Sequence, residues 1–196
     1  MVNKLADQYE CPVDKYILSF IDTHIRFYRK MGFTPNMLTT FSILAAILTV
    51  YEIFKGNFAI AAFLWLVAYY FDCADGKFAR KYNMVTKIGD LYDHFGDIFK
   101  YVIVIYALFY SSKRKITKKQ WWFLFIILFL TLLSFIHLGY QERIYDKKEE
   151  SVYLHFLSNI LTFWDKHPHT TIQVTKHFGC GTLQLGIALI IFFWRK

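Results

Sequence analysis

"FDCADGKFARKYNMVTKIGDLYDHFGDIFK", residues 71–100, lies between two of the most apolar stretches of the chain and yet carries Asp72, Asp75, Asp93 and Asp97. An ionised aspartate in hydrocarbon is costly, and it marks a pathway or a site whose partners offset that cost. Asp72 and Asp75 are three residues apart and Asp93 and Asp97 four, so on helices each pair shares a face and sends its oxygens to one region. Residues 81–88 suffice only for a short connection, so the two helices return antiparallel and the four carboxylates converge. Such charges repel one another unless cations intervene, and hard divalent cations prefer oxygen ligands. Two ions roughly 3.5–4 Å apart are the expected arrangement for a displacement at phosphorus. Gly76 and Ala79 fall one turn beyond the first pair and Gly89 one turn before Asp93, leaving room for a ligand or for close helix packing. The competing reading makes the acids structural ion pairs with Lys77, Arg80, Lys87 and Lys100. Lys100, one turn beyond Asp97, is expected to neutralise Asp97 or Asp93.

The wider sequence sets these helices in a membrane. Of its 196 residues 56% are hydrophobic and 20% aromatic, and the mean hydropathy is +0.29, too apolar for an ordinary soluble domain of this length. Cys11, Cys73 and Cys180 have no paired spacing and read as packing thiols. The net charge of +8 is grouped in connecting segments: Arg26, Arg29 and Lys30; Lys77, Arg80, Lys81 and Lys87; Lys113, Arg114, Lys115, Lys118 and Lys119. Basic loops beside apolar spans suit anionic headgroups or a phosphorylated substrate. Nucleic acid is not an expected partner, since no basic face belongs to a soluble fold.

The expected architecture is an all-α integral membrane domain over residues 1–196, with six transmembrane helices and an N-terminal interfacial amphipathic helix. In the latter, Ile17, Phe20, Ile21 and Tyr28 lie opposite Lys15, Ser19, Asp22, Arg26 and Arg29. A span needs roughly 17 to 25 mostly apolar residues, which places the six near residues 37–54, 58–80, 88–110, 120–140, 152–164 and 178–194. The polar start shows no removable signal, so the first span is expected to direct insertion. Trp121, Trp122 and Trp194 are expected in the aromatic belts. A cytoplasmic N-terminus puts residues 77–87, residues 143–148 and the tail at Arg195 on one side, with residues 113–119 on the other. Asn36 and Thr39 read as the start of the first span behind Pro35.

The motif residues spell Asp72-x2-Asp75-Gly76-x2-Ala79-Arg80-x8-Gly89-x3-Asp93-x3-Asp97, eight specified positions over 26 residues. This resembles the full signature of the CDP-alcohol phosphotransferase family of integral membrane enzymes. "TPNMLT" at residues 34–39 is similar to that family's lead into its first span. The resemblance implies a six-helix core with an interfacial helix, homodimers, and a reaction in which an acceptor hydroxyl attacks a CDP-alcohol and CMP leaves. It implies that Asp72, Asp75, Asp93 and Asp97 hold two Mg2+ or Mn2+ ions at the cytoplasmic side, with Asp97 as general base. It implies that Arg80 meets a phosphate or orients an acid, and that Gly76, Ala79 and Gly89 border the substrate.

His94 offers a second base. It follows Asp93 directly, Asp90 lies within reach to fix its tautomer, and an imidazole titrates near working pH. "GDLYDHFGD" is similar to the corresponding stretch of choline and ethanolamine phosphotransferases, which favours CDP-choline or CDP-ethanolamine as donor and diacylglycerol as acceptor. The alternative substrates are CDP-diacylglycerol and a polar alcohol such as inositol, serine or glycerol phosphate. A divalent-cation transporter and a catalytically silent scaffold are the alternative classes.

Overall fold

The computed structural model describes residues 8–112, 115–145, 165 and 167–195. Among them every regular element is helical: α1 (Pro12–Lys30), α2 (Pro35–Lys55), α3 (Phe58–Lys81), α4 (Lys87–Ser111), α5 (Lys118–Tyr145), α6 (Pro168–Thr175), a 3-10 turn (Lys176–Phe178) and α7 (Cys180–Phe193). Local chemistry fixes most boundaries. Proline opens α1, α2 and α6, where its missing N–H costs nothing. Thr34 caps α2 by accepting from the Met37 N–H, and Gly56 ends it at φ 83°, a left-handed conformation that glycine adopts without strain. Thr86 caps α4 by accepting from the Gly89 N–H at 3.0 Å.

Among the described residues, four stretches are long and apolar enough to cross a membrane: Pro35–Lys55, Phe58–Lys81, Lys118–Gln141 and Pro168–Phe193. The 25 residues of α4 are long enough, but Asp90, Asp93, His94, Asp97 and Lys100 make its first half polar. The expected span at 152–164 and the charged residues 146–150 lie outside the described residues. The last span starts earlier than the expected residue 178, and it bends at Gly179, whose extended ψ of −179° separates the 3-10 turn from α7.

α2 packs along both α3 and α4, α7 along α3 and α5, and α1 along α3 and α7. Since lipid tails compete equally for apolar side chains, association depends on close contact between small residues. α2 supplies these as a stripe of Thr39, Ser42, Ala46 and Thr49, all buried. Gly96 on α4 faces this stripe, where an added Cβ would lie 3.1 Å from Ile43 Cδ1. One apolar core joins α2, α3, α4, α5 and α7 around Trp65, Val104, Leu108 and Ile191. A smaller one joins α1, α2 and α3 through Ile21, Ile25, Leu38, Ala74 and Phe78. Ile21 and Ile25 are the buried residues of α1, and Phe20, expected on the same apolar side, is 59% exposed.

The chain end departs from the charge-based topology. Gln120 Nε2 donates to the Trp194 carbonyl at 3.3 Å and Arg195 Nη2 to the Ser111 carbonyl at 2.5 Å. The tail therefore sits with the C-terminus of α4 and the start of α5, opposite the turn between α3 and α4. The cause is that α6 and α7 run back antiparallel along α5, with His137 Nδ1 bonded to Thr175 Oγ1 near its other end. Trp194 is likewise not a belt residue: it is 1% exposed, with Nε1 donating to Ser112 Oγ. Trp121 and Trp122 are exposed as expected.

Candidate active site

The end of α3 and the start of α4 bring the motif together. Asp72, Asp75 and Asp93 each offer an oxygen, and these oxygens all lie within 4.8 Å of one another. Asp75 is buried, Asp72 and Asp93 half-buried. One oxygen of Asp93, Oδ1, is buried without a hydrogen-bond partner among the described residues, a costly condition for an acid unless a ligand meets it. Three convergent carboxylates with an orphaned oxygen fit a hard divalent cation.

Asp97 does not join this trio. Its Oδ1 pairs with Lys100 Nζ at 2.8 Å, and the same ammonium donates to Asp72. The expectation that Lys100 neutralises Asp97 or Asp93 is thus met at Asp97, with Asp72 as its other acid. Lys77 serves elsewhere: it pairs with Asp22 at 2.6 Å and donates to the Leu18 carbonyl at 2.7 Å, fastening α1 to α3. The structural-pair reading therefore accounts for Lys100 and leaves Asp75 and Asp93 without a cation among the described ion pairs.

α2 completes the surroundings. Thr39 Oγ1 donates to Asp75 Oδ2 at 2.5 Å and Ser42 Oγ accepts from Lys100 at 2.9 Å. Neither contact was legible in the sequence. Thr39 read as part of a helix start, and a lone serine in an apolar helix carries no spacing signal. Their shared stripe with Ala46 and Thr49, small residues at helical spacing, is the signal that points α2 at the site.

The glycines act at short range. An added Cβ at Gly76 would lie 3.2 Å from Arg80 Nη1, and one at Gly89 2.9 Å from Thr86 Oγ1 and 3.2 Å from Asn36 Oδ1. Gly76 thus lets the guanidinium fold back along α3, and Gly89 lets the cap of α4 form beside α2. Arg80 Nε is buried without a partner, and Ala79 is half-buried one residue before it. His94 Nδ1 donates to the Asp90 carbonyl at 2.8 Å, with Asp90 Oδ1 3.7 Å away. That bond puts a proton on Nδ1, the tautomer in which an imidazole keeps its lone pair on Nε2. The side chain is 55% exposed, and that of Asp97 is 42% exposed.

Beside the site, Asp14 of α1 accepts from the Tyr69 hydroxyl and from the backbone N–H of Gly181 in the first turn of α7. A carboxylate suits a helix N-terminus. Burial outweighs these bonds and pushes the Asp14 carboxyl up to about 6.

Comparison with known proteins agrees with the geometry. The family described as CDP-alcohol phosphatidyltransferase matches residues 33–194. Ethanolaminephosphotransferase 1 of Pongo abelii is 34% identical over 84 residues and that of Homo sapiens 34% over 87, each match covering 43% of this chain. The matched stretch spans 21% of the length of each relative. No solved structure matches.

Proposed function

We propose, since the chain belongs to the CDP-alcohol phosphatidyltransferase family, that it transfers a phospho-alcohol group from a CDP-alcohol to an acceptor hydroxyl, with release of CMP. The observation that carries this reading is the meeting of Asp72, Asp75 and Asp93 within 4.8 Å, with Arg80, whose Nε has no partner among the described residues, on the same helix as Asp72 and Asp75. The three acids would hold Mg2+ or Mn2+, which when bound neutralises the charge that builds on the diphosphate as CMP departs. Arg80, with a fork suited to phosphate, orients the diphosphate over Gly76. Gly76, Ala79 and Gly89 leave backbone rather than side chain where the cytidine approaches.

The acceptor proton goes to His94. Its Nε2 has no partner among the described residues and its tautomer is set by Asp90, whereas one oxygen of Asp97 is already engaged by the Lys100 ammonium. Asp97 then serves to fix Lys100 beside Asp72. The donor is CDP-ethanolamine or CDP-choline and the acceptor diacylglycerol; the ethanolamine donor is favoured by the two relatives, both ethanolaminephosphotransferase 1.

α4 is a further crossing whose polar half lines the site, and α1 lies in the interface with Tyr16, Phe20 and Phe27 exposed toward lipid. The site opens at the cytoplasmic end, where Arg26, Arg29, Lys81 and Lys87 meet anionic headgroups. Two copies associate, as the family resemblance suggests. The test is CMP release by purified protein in lipid, offered CDP-ethanolamine, CDP-choline or CDP-diacylglycerol with matching acceptors. Release with the first two and diacylglycerol is expected; release only from CDP-diacylglycerol would reassign the substrates, and none from any donor would end the reading.

A further inference from the structure

Resting on the reading of the acid trio as a metal centre, we infer that Lys100 is a built-in cation that holds the place of a second divalent ion, so that the substrate-free protein carries one ion per chain. Lys100 Nζ donates to Asp72 Oδ1, pairs with Asp97 Oδ1 at 2.8 Å and donates to Ser42 Oγ at 2.9 Å. These three bonds use every proton of the ammonium. The residue is 5% exposed, so it has no solvent for which to exchange its partners.

The geometry follows from sequence positions. Lys100 lies one turn beyond Asp97 on α4, which sets the two side chains together, and α3 presents Asp72 across from them. Asp72 and Asp97 are the carboxylates from which a second ion site would be built, and both are bridged by the lysine. That is why Asp97 stands outside the trio of acids that lie within 4.8 Å of one another.

Charge favours the same count. Four carboxylates set against one divalent ion and one ammonium leave a single unit of negative charge. A second divalent ion would turn the balance positive and would sit against an ammonium in a buried site, where like charges are poorly screened.

The experiment is a titration of the wild-type protein in lipid nanodiscs with Mn2+, without nucleotide, read by calorimetry and by electron paramagnetic resonance. One ion per chain with the spectrum of an isolated Mn2+ is expected. Lys100→Met, which keeps the length and removes the charge, is expected to take up two ions and to give the spectrum of a coupled pair. Two ions in the wild type overturn the inference and leave the metal centre standing. No ion in the wild type removes the metal centre itself, and the inference with it. One ion in both proteins also overturns it, because Asp72 and Asp97 would then form no site even when released. If Lys100→Met does not fold, the wild-type spectrum decides: an isolated ion sustains the inference, and a coupled pair overturns it.

Discussion

Among the described residues, Asp75 and Asp93 differ from the other two motif acids in having no lysine partner, and that difference orders the expected effects of mutation. Asp75→Asn or Asp93→Asn removes a ligand oxygen and is expected to abolish metal-dependent CMP release. Thr39→Val leaves the ligand but removes the hydroxyl that orients it, so a fall of about 10–100-fold in metal affinity or rate is expected. Titrating each variant with Mn2+ separates the two kinds of loss. The assignment of the base rests on a bond of 2.8 Å between His94 Nδ1 and the Asp90 carbonyl. His94→Ala is expected to slow turnover by about 10^2–10^4-fold while sparing metal binding; undiminished turnover in His94→Ala would return the role to Asp97. The motif residues were legible because the chemistry demands acids and glycines at fixed helical spacing. Ser42 was not, because a contact made across helices leaves no periodic mark on its own helix.

Among the elements, α1 is held by polar groups as well as by its apolar face. Asp14 reaches Tyr69 and the N-terminus of α7, and Lys77 ties Asp22 and the Leu18 carbonyl to α3. The sequence showed the amphipathic character of α1 and not these ties, since Asp22 read as a member of the polar side of an interfacial helix. Burial raises the Asp14 carboxyl from 3.8 to about 6, so between those values the folded protein keeps a proton that the unfolded chain has lost. Stability from this group is therefore highest below pH 4, falls as pH rises to 6 by about 3 kcal/mol, and is level above. Asp14→Asn is expected to remove that slope, read as the difference between variant and parent in thermal unfolding at pH 4 to 7; an unchanged slope would assign it to other acids. Gly181 faces the same contact: an added Cβ would collide with Asp14 and lie 2.8 Å from Val13 Cβ. Gly181→Ala is expected to destabilise the protein by about 1–3 kcal/mol and to loosen α1, seen as faster proteolysis near its ends.

At the scale of the whole molecule, hydropathy and the aspartate motif were enough to anticipate helices crossing a membrane around one site. Loop charge was not enough to place the chain end. Basic residues occupy both ends of the bundle, and what sets the tail is packing: Trp194, Gln120 and Ser112 join the end of α7 to α4 and α5. In sealed vesicles a membrane-impermeant label is expected to reach the C-terminal tail and the stretch around Lys115 from one side, and the turn around Asn83 from the other. Finding the tail and that turn on the same side would contradict the described packing. The central claim is that the carboxylates joining α3 and α4 act through a bound divalent ion on a CDP-alcohol. Its most direct test is CMP release from CDP-ethanolamine and diacylglycerol by the wild-type protein, before chelation, after chelation and after Mn2+ is restored. The account predicts release that stops on chelation and returns with the metal; release that continues undiminished without metal would contradict it.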